Sequence, residues 1–260
     1  KTLFKKYNAD MVVSMSALVA TYDKPAIWAG QMLDIPIVSM MTAWDNLCTK
    51  GRMPLKFDHY FVWSDWMANS QLIRTHPYIQ KDEVTTVGAP ILDFYQNDEL
   101  KINKDEFIKF IGGDSKRPII LFASAPPGQS NSQPMMVEDI VIAIKNGIII
   151  DNPQIILRPH PAGGIELYND LLNKYPDIIF TETNRDDPSG LHWEPDMDDI
   201  KILVNSIMHC DVMINHSSTI TLEAFCLGKP VINVAFDYDK KSIRDKRTKN
   251  AYTFSSYAPV

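Results

Sequence analysis

The chain has 260 residues, 45% of them hydrophobic, enough for a large core in one domain or two. Its 26 basic and 32 acidic residues give a net charge of −6 with no basic stripe of the kind a phosphate backbone needs, which argues against a nucleic-acid partner. No stretch nears the roughly 18 uninterrupted apolar residues of a membrane span, and the opening KTLFKKYNAD lacks the apolar centre of a signal peptide. Cys48, Cys210 and Cys226 form neither a Cys-x-x-Cys pair nor a disulfide scaffold, so a soluble protein of the reducing cytoplasm is expected.

The first residues read as the tail of a helix (Leu3, Phe4, Tyr7), and the chain stops at Val260 inside an unfinished segment, so we expect a fragment of a longer protein. Residues 9–14 and 35–41 are apolar runs of strand length, separated by helical spacing around Ile27, Met32 and Leu33, which makes a β-α-β unit. After the second run, TAWDNLCTKG crowds Thr42, Trp44, Asp45, Asn46, Thr49, Lys50 and Gly51 at a strand exit, where clefts are built. Residues 60–64 predict a strand, 65–75 a helix, and 84–87 a strand running into the turn Gly88-Ala89-Pro90. From 93 to 116 the composition turns charged and polar, with Gly112 and Gly113 near the end, which predicts a linker.

A second alternation then begins, with strands at 118–123, 154–158 and 178–181 and helices at 135–146 and 165–175. Past an acidic loop, Ile200, Leu203, Val204, Ile207 and Met208 mark one face of a helix. The stretch 211–237, DVMINHSSTITLEAFCLGKPVINVAFD, reads as strand, hydroxyl-lined turn, helix and strand, with Gly228 and Pro230 closing the helix. Five strands alternating with helices predict a doubly wound parallel sheet of Rossmann type.

Ligands collect at the carboxyl edge of such a sheet. Arg158, His160, Gly163 and Gly164 lie at the end of one strand, and Ser217, Ser218 and Thr219 follow another and open a helix. A cation, a histidine, glycines that admit backbone, hydroxyls and a helix N-terminus together suit a diphosphate. Taken singly, His160 between prolines also reads as a turn residue and the hydroxyls as a helix cap.

The pairing of RPHP with DVMINHSSTITLEAFCLGKPVI resembles the HP and SS motifs in the C-terminal half of GT-B-fold glycosyltransferases. The nearest resemblance is to enzymes with CMP- or CDP-activated donors: sialyl- and polysialyltransferases, capsule Kdo transferases and CDP-glycerol glycerophosphotransferases. The N-terminal piece, with WDN at a strand exit, is similar to the second half of a GT-B acceptor domain. The resemblance implies an α/β fold of GT-B type, two Rossmann-like doubly wound parallel-sheet domains facing a cleft, the N-terminal one incomplete. It divides the chain into acceptor domain (1–98), linker (99–116), donor domain (117–245) and a segment leading back (246–260).

The implied activity is metal-independent transfer of a sugar or polyol phosphate from a nucleotide-activated donor to a glycan or lipid-linked acceptor, in capsule or other cell-envelope polysaccharide synthesis. It implies no cofactor beyond the substrate nucleotide, CMP- or CDP-linked in preference to UDP-linked, and peripheral contact with the inner face of the cytoplasmic membrane. Arg158, His160, Gly163, Ser217, Ser218 and Thr219 would hold the donor's phosphates, and Glu223 would reach toward a ribose or sugar. Asp45 and His160 are the expected catalytic residues. Asp45 would be the general base; an Asx-turn or helix-cap aspartate is the alternative for it, and the base could also lie outside this sequence. Two departures stand out. Asn215 and His216 occupy positions where teichoic acid enzymes tend to carry aspartate and tyrosine. The UDP-GlcNAc 2-epimerases share the serine-then-glutamate helix, but their glycine pair after the serine is absent here, so an epimerase ranks second and a non-catalytic nucleotide-sugar or glycan binding module third.

The remaining conspicuous residues have plainer readings. His209 ends a helix, where a cation suits the dipole, and His192 and Trp193 sit in the acidic loop. Asp186, Asp187, Asp196, Asp198 and Asp199 match no calcium loop and read as solvated or helix-capping carboxylates. The basic tail from Lys240 to Lys249 reads as a solvated face or as a contact for anionic lipid or a charged polysaccharide.

Overall fold

The computed structural model describes residues 2–15, 23–49, 53, 55–126, 131–161, 164–181, 196–216 and 218–234. The chain divides into two compact units, Lys1–Asp93 and Phe94–Val260.

In the first unit, α1 (Thr2–Tyr7) precedes strand β1 (Val12–Ser14), and α2 (Lys24–Gln31) leads to β2 (Ile37–Met40). After α3 (Asn46–Thr49) come β3 (His59–Val62), a π-helix at Met67–Ile73 and β4 (Val84–Thr86). The strands form one parallel sheet in the order β1-β2-β3-β4, advancing in one direction without a reversal. Proline in the first turn of α2 costs no hydrogen bond there. Gly30 lets the same helix lie close to the sheet, since a Cβ at that position would stand 3.2 Å from a Val12 methyl. Ile27, Ile37, Tyr60, Val62, Met67 and Leu72 fill the core. The helix expected over 65–75 is present, but its central turns are wound as π-helix and bury Gln71 with no partner for its amide in the protein.

The second unit runs α4 (Lys104–Phe110), β5 (Ile119–Ala123), α5 (Gln133–Lys145), β6 (Gln154–Arg158), α6 (Asn169–Lys174) and β7 (Ile179–Phe180). It continues with α7 (Met197–His209), β8 (Val212–Asn215), α8 (Ile220–Cys226) and β9 (Val231–Asn233). All five strands are parallel in the order β7-β6-β5-β8-β9, so the chain builds outward from β5 on one side and then returns to build on the other. Every residue of β5 and β6 is buried, as continuous apolar strands covered on both faces must be.

The stretch 99–116, expected as a linker, is folded against this unit. The Asn205 amide donates to Leu100 O at 2.7 Å, and its oxygen accepts from Ile102 N at 2.8 Å. His209 Nε2 meets Ile102 O at 2.8 Å, and Phe107 and Ile108 are fully buried. Helix α7 is therefore covered on two sides, and its buried residues include Asp199, Asn205 and Ser206 beside Val204 and Ile207. Burial also holds His209 below the usual imidazole range, so it is a neutral hydrogen-bonding group and not the dipole-paired cation expected at that helix end. Cys210 is buried, its thiol pushed up to about 11, too high for a reactive thiolate.

Candidate functional site

The register of the second sheet places its three central exits side by side. Ala123, the last residue of β5, is the partner of Arg158 at the end of β6 and of Asn215 at the end of β8. Neighbouring strands are spaced by about 4.8 Å, so Arg158 and Asn215 start their loops about 10 Å apart, across the point where the strand order reverses.

Each exit is fastened. Ser124 donates its N–H to Arg158 O at 3.0 Å and accepts the His160 N–H on its hydroxyl at 2.7 Å, so the start of the RPHP loop is tied to β5. Gln133, at the start of α5, accepts the Ala125 N–H at 2.6 Å. Asn215 accepts from Ser218 N at 3.0 Å and donates to Thr221 Oγ1 at 3.0 Å, folding the hydroxyl turn back onto β8. Gly164 has φ +87, the left-handed region that glycine enters without strain.

The charges converge from opposite sides of β5. Arg158, on β6, is buried, with Nη2 2.7 Å from Asp199 Oδ1 of α7. Its Nη1 has no hydrogen-bond partner in the protein. Glu223, on α8, accepts a short hydrogen bond from the Tyr95 hydroxyl. Burial raises the Glu223 carboxyl above its ordinary range, opposed by the Tyr95 hydrogen bond and by the Arg158 charge. Tyr95 is held well above the ordinary phenol range by burial and by Glu223, and Arg158 opposes that shift too. Arg158, Glu223 and Tyr95 thus share one electrostatic neighbourhood with unused capacity for an acceptor at Nη1.

No family model matches the chain, nor does any curated protein. Solved structures do. UDP-GlcNAc 2-epimerase from Methanocaldococcus jannaschii matches with a TM-score of 0.60 at 14% identity, over 96% of this chain and 71% of that one. UDP-GlcNAc 2-epimerase from Neisseria meningitidis bound to UDP-GlcNAc matches at 0.64 and 16%, over 94% of this chain and 64% of that one. The wall teichoic acid polymerase TagF, as a variant soaked with CDPG, matches at 0.50 and 14%, over 90% of this chain and 55% of that one. This chain has the GT-B fold. At these identities the likeness shows architecture alone, and the chain spans less than two thirds of both the Neisseria enzyme and TagF.

Within the GT-B fold, the second unit brings Arg158, His160, Ser218, Thr219 and Glu223 to one sheet edge. Gly163 and Ser217 lie outside the described residues, as do His192, Trp193, Asp186, Asp187 and the basic tail. Thr219 is exposed and starts α8 without a side-chain cap; Ser218 Oγ instead accepts from Ile220 N at 3.4 Å. Asp45 is buried in the first unit, in the turn between β2 and α3, beside Asn46, whose amide donates to Thr42 Oγ1 at 2.9 Å. Asp196 caps α7, as read from sequence, but Asp199 is no solvated carboxylate, because it is the buried partner of Arg158. Tyr95 was not singled out; a lone aromatic in a polar stretch carries no sequence signal for a carboxylate far along the chain. A cavity of ≈ 130 Å³ lies at the opposite, amino-terminal edge of the second sheet, lined by Arg117, Gln154 and Tyr175 among others. The Arg117 guanidinium there is spent on Asn152 O and Pro153 O, and we assign that cavity no chemistry.

Proposed function

We propose that the second unit binds the nucleotide diphosphate or monophosphate of an activated sugar, and that the protein transfers the sugar or polyol phosphate to a glycan or lipid-linked acceptor in surface polysaccharide synthesis. The observation that carries this reading is the buried Arg158, with Nη1 unused, in register with Asn215 across β5 and within electrostatic reach of Glu223. A buried guanidinium left without a full set of acceptors is costly unless something else supplies them, and a phosphate does so well.

In this scheme the acceptor hydroxyl gives its proton to Asp45 as general base. Its oxygen then bonds the donor's transferred carbon or phosphorus as the bond to the leaving phosphate breaks. The electron pair leaves on a phosphate oxygen, where Arg158, His160, Ser217 and Ser218 stabilise the growing charge, Gly163 and Thr219 shape the loops and no metal is called for. CMP- or CDP-linked donors are preferred on the strength of the motif resemblance. A second reading, rearrangement of a UDP-linked sugar, draws on the larger overlap with the epimerases.

Titration calorimetry with CMP, CDP, UDP, GDP and ADP tests both. Cytidine-selective binding that His160→Ala and a Ser217→Ala/Ser218→Ala double variant weaken supports the transferase, and UDP selectivity moves the assignment to the second reading. A folded protein that binds none of the five has no such site.

A further inference from the structure

The Tyr95–Glu223 hydrogen bond joins two groups that the donor-binding scheme does not use together. Tyr95 sits in the 3₁₀ helix Pro90–Gln96 and is only 3% exposed. Its hydroxyl donates to Glu223 Oε2, and Oε1 takes no hydrogen bond among the described residues. A buried phenol cannot swing aside as a surface side chain would. The carboxylate is therefore fixed through one oxygen from inside the core, while the other remains an acceptor.

Building on the reading that this unit holds a nucleotide, we propose that Tyr95 is a positioning residue for Glu223: it occupies Oε2 so that Oε1 is presented to the paired hydroxyls of the ligand's sugar. Two further observations support the assignment. The Tyr95 proton is strongly retained, so the phenol stays a donor across the physiological range. The nearby Arg158 Nη1 is the unpartnered group of a side chain more than nine-tenths buried, which fits a ligand carrying an acceptor close to a hydroxyl pair.

The test is calorimetry on the whole chain with CDP and UDP and their 2′,3′-dideoxy analogues, with thermal melting of each variant as the folding control. Wild type should favour the ribonucleotide. Tyr95→Phe should lower ribonucleotide affinity about tenfold, the scale of one hydrogen bond to a charged group, and leave the dideoxy analogue unchanged. Glu223→Gln keeps an amide oxygen for the Tyr95 hydroxyl but presents N–H to the ligand, so it should erase the ribonucleotide preference. Adding Tyr95→Phe to it should change little more. Equal loss for both analogues in Tyr95→Phe would make the contact a structural staple and overturn the proposal. Wild type that binds ribo- and dideoxynucleotides alike would overturn it too, with the nucleotide site intact; wild type that binds neither removes the site and the proposal together. Should Tyr95→Phe fail to fold, Glu223→Gln decides alone, and a retained ribonucleotide preference sinks the assignment.

Discussion

The polar side chains at the strand exits of the first sheet satisfy one another, whereas those of the second sheet do not. In the first unit Ser14 donates to Asp23 at 2.7 Å, Asn46 to Thr42 at 2.9 Å and Thr86 to Asp65 at 2.6 Å. In the second, Ser124 and Asn215 are spent on holding their loops, but Arg158 Nη1 and Glu223 Oε1 keep unused capacity. The first unit's unpartnered buried polar atoms include Ser39 and Gln71, inside a strand and a helix and away from an exit. A cluster of polar residues after a strand is thus a weak sign of a site; unsatisfied capacity at a reversal of strand order is a stronger one.

The contrast can be broken most sharply at Asp199. Asp199→Ala leaves the Arg158 charge buried with neither carboxylate nor ligand, and should destabilise the second unit by about 3–5 kcal/mol in urea unfolding. Excess nucleotide should restore part of that loss. The matching change in the first unit, Asn46→Ala, removes a local bond and should cost about 1 kcal/mol with nucleotide binding unaltered. Acid sharpens the comparison differently. Burial depresses His209, so its stabilising contribution is complete above the ordinary imidazole value of about 6.5 and is lost as pH falls through the lower folded-state value. Urea midpoints should fall between pH 7 and pH 5, and His209→Gln should flatten that slope. Glu223, raised by burial, acts with the opposite sign: its contribution is complete below the ordinary carboxyl range and is lost as pH rises through the raised value. The smallest effect belongs to Thr219→Ala, which removes no cap bond and should move the melting point by no more than about 0.5 kcal/mol would.

Much of the fold was legible because it rests on local pattern. Fully apolar runs gave β5 and β6, and Gly228, at φ +64 just past α8, closes that helix as its position suggests. Arg158, His160 and Ser218 were readable as strand-exit residues because exits follow directly from strand ends. What the sequence hid are residues whose roles depend on distant partners. Asp199 looks like one of several acidic residues until Arg158 is brought to it. Asn205 looks like a solvent-facing position of an amphipathic helix until Leu100 and Ile102 cover it, and the same contacts make a charged, glycine-containing stretch part of a domain. Tyr95 is invisible for the same reason.

The Asn205 clasp fixes where a protein engineer could cut. A recombinant second unit begun at residue 117 would strip Leu100, Ile102 and Phe107 from α7, exposing apolar surface and two orphaned ends of the Asn205 amide. One begun at Phe94 keeps the clasp and Tyr95 with it, and the amide proton of Ile102, though outside any regular element, should exchange with solvent as slowly as those of the sheet.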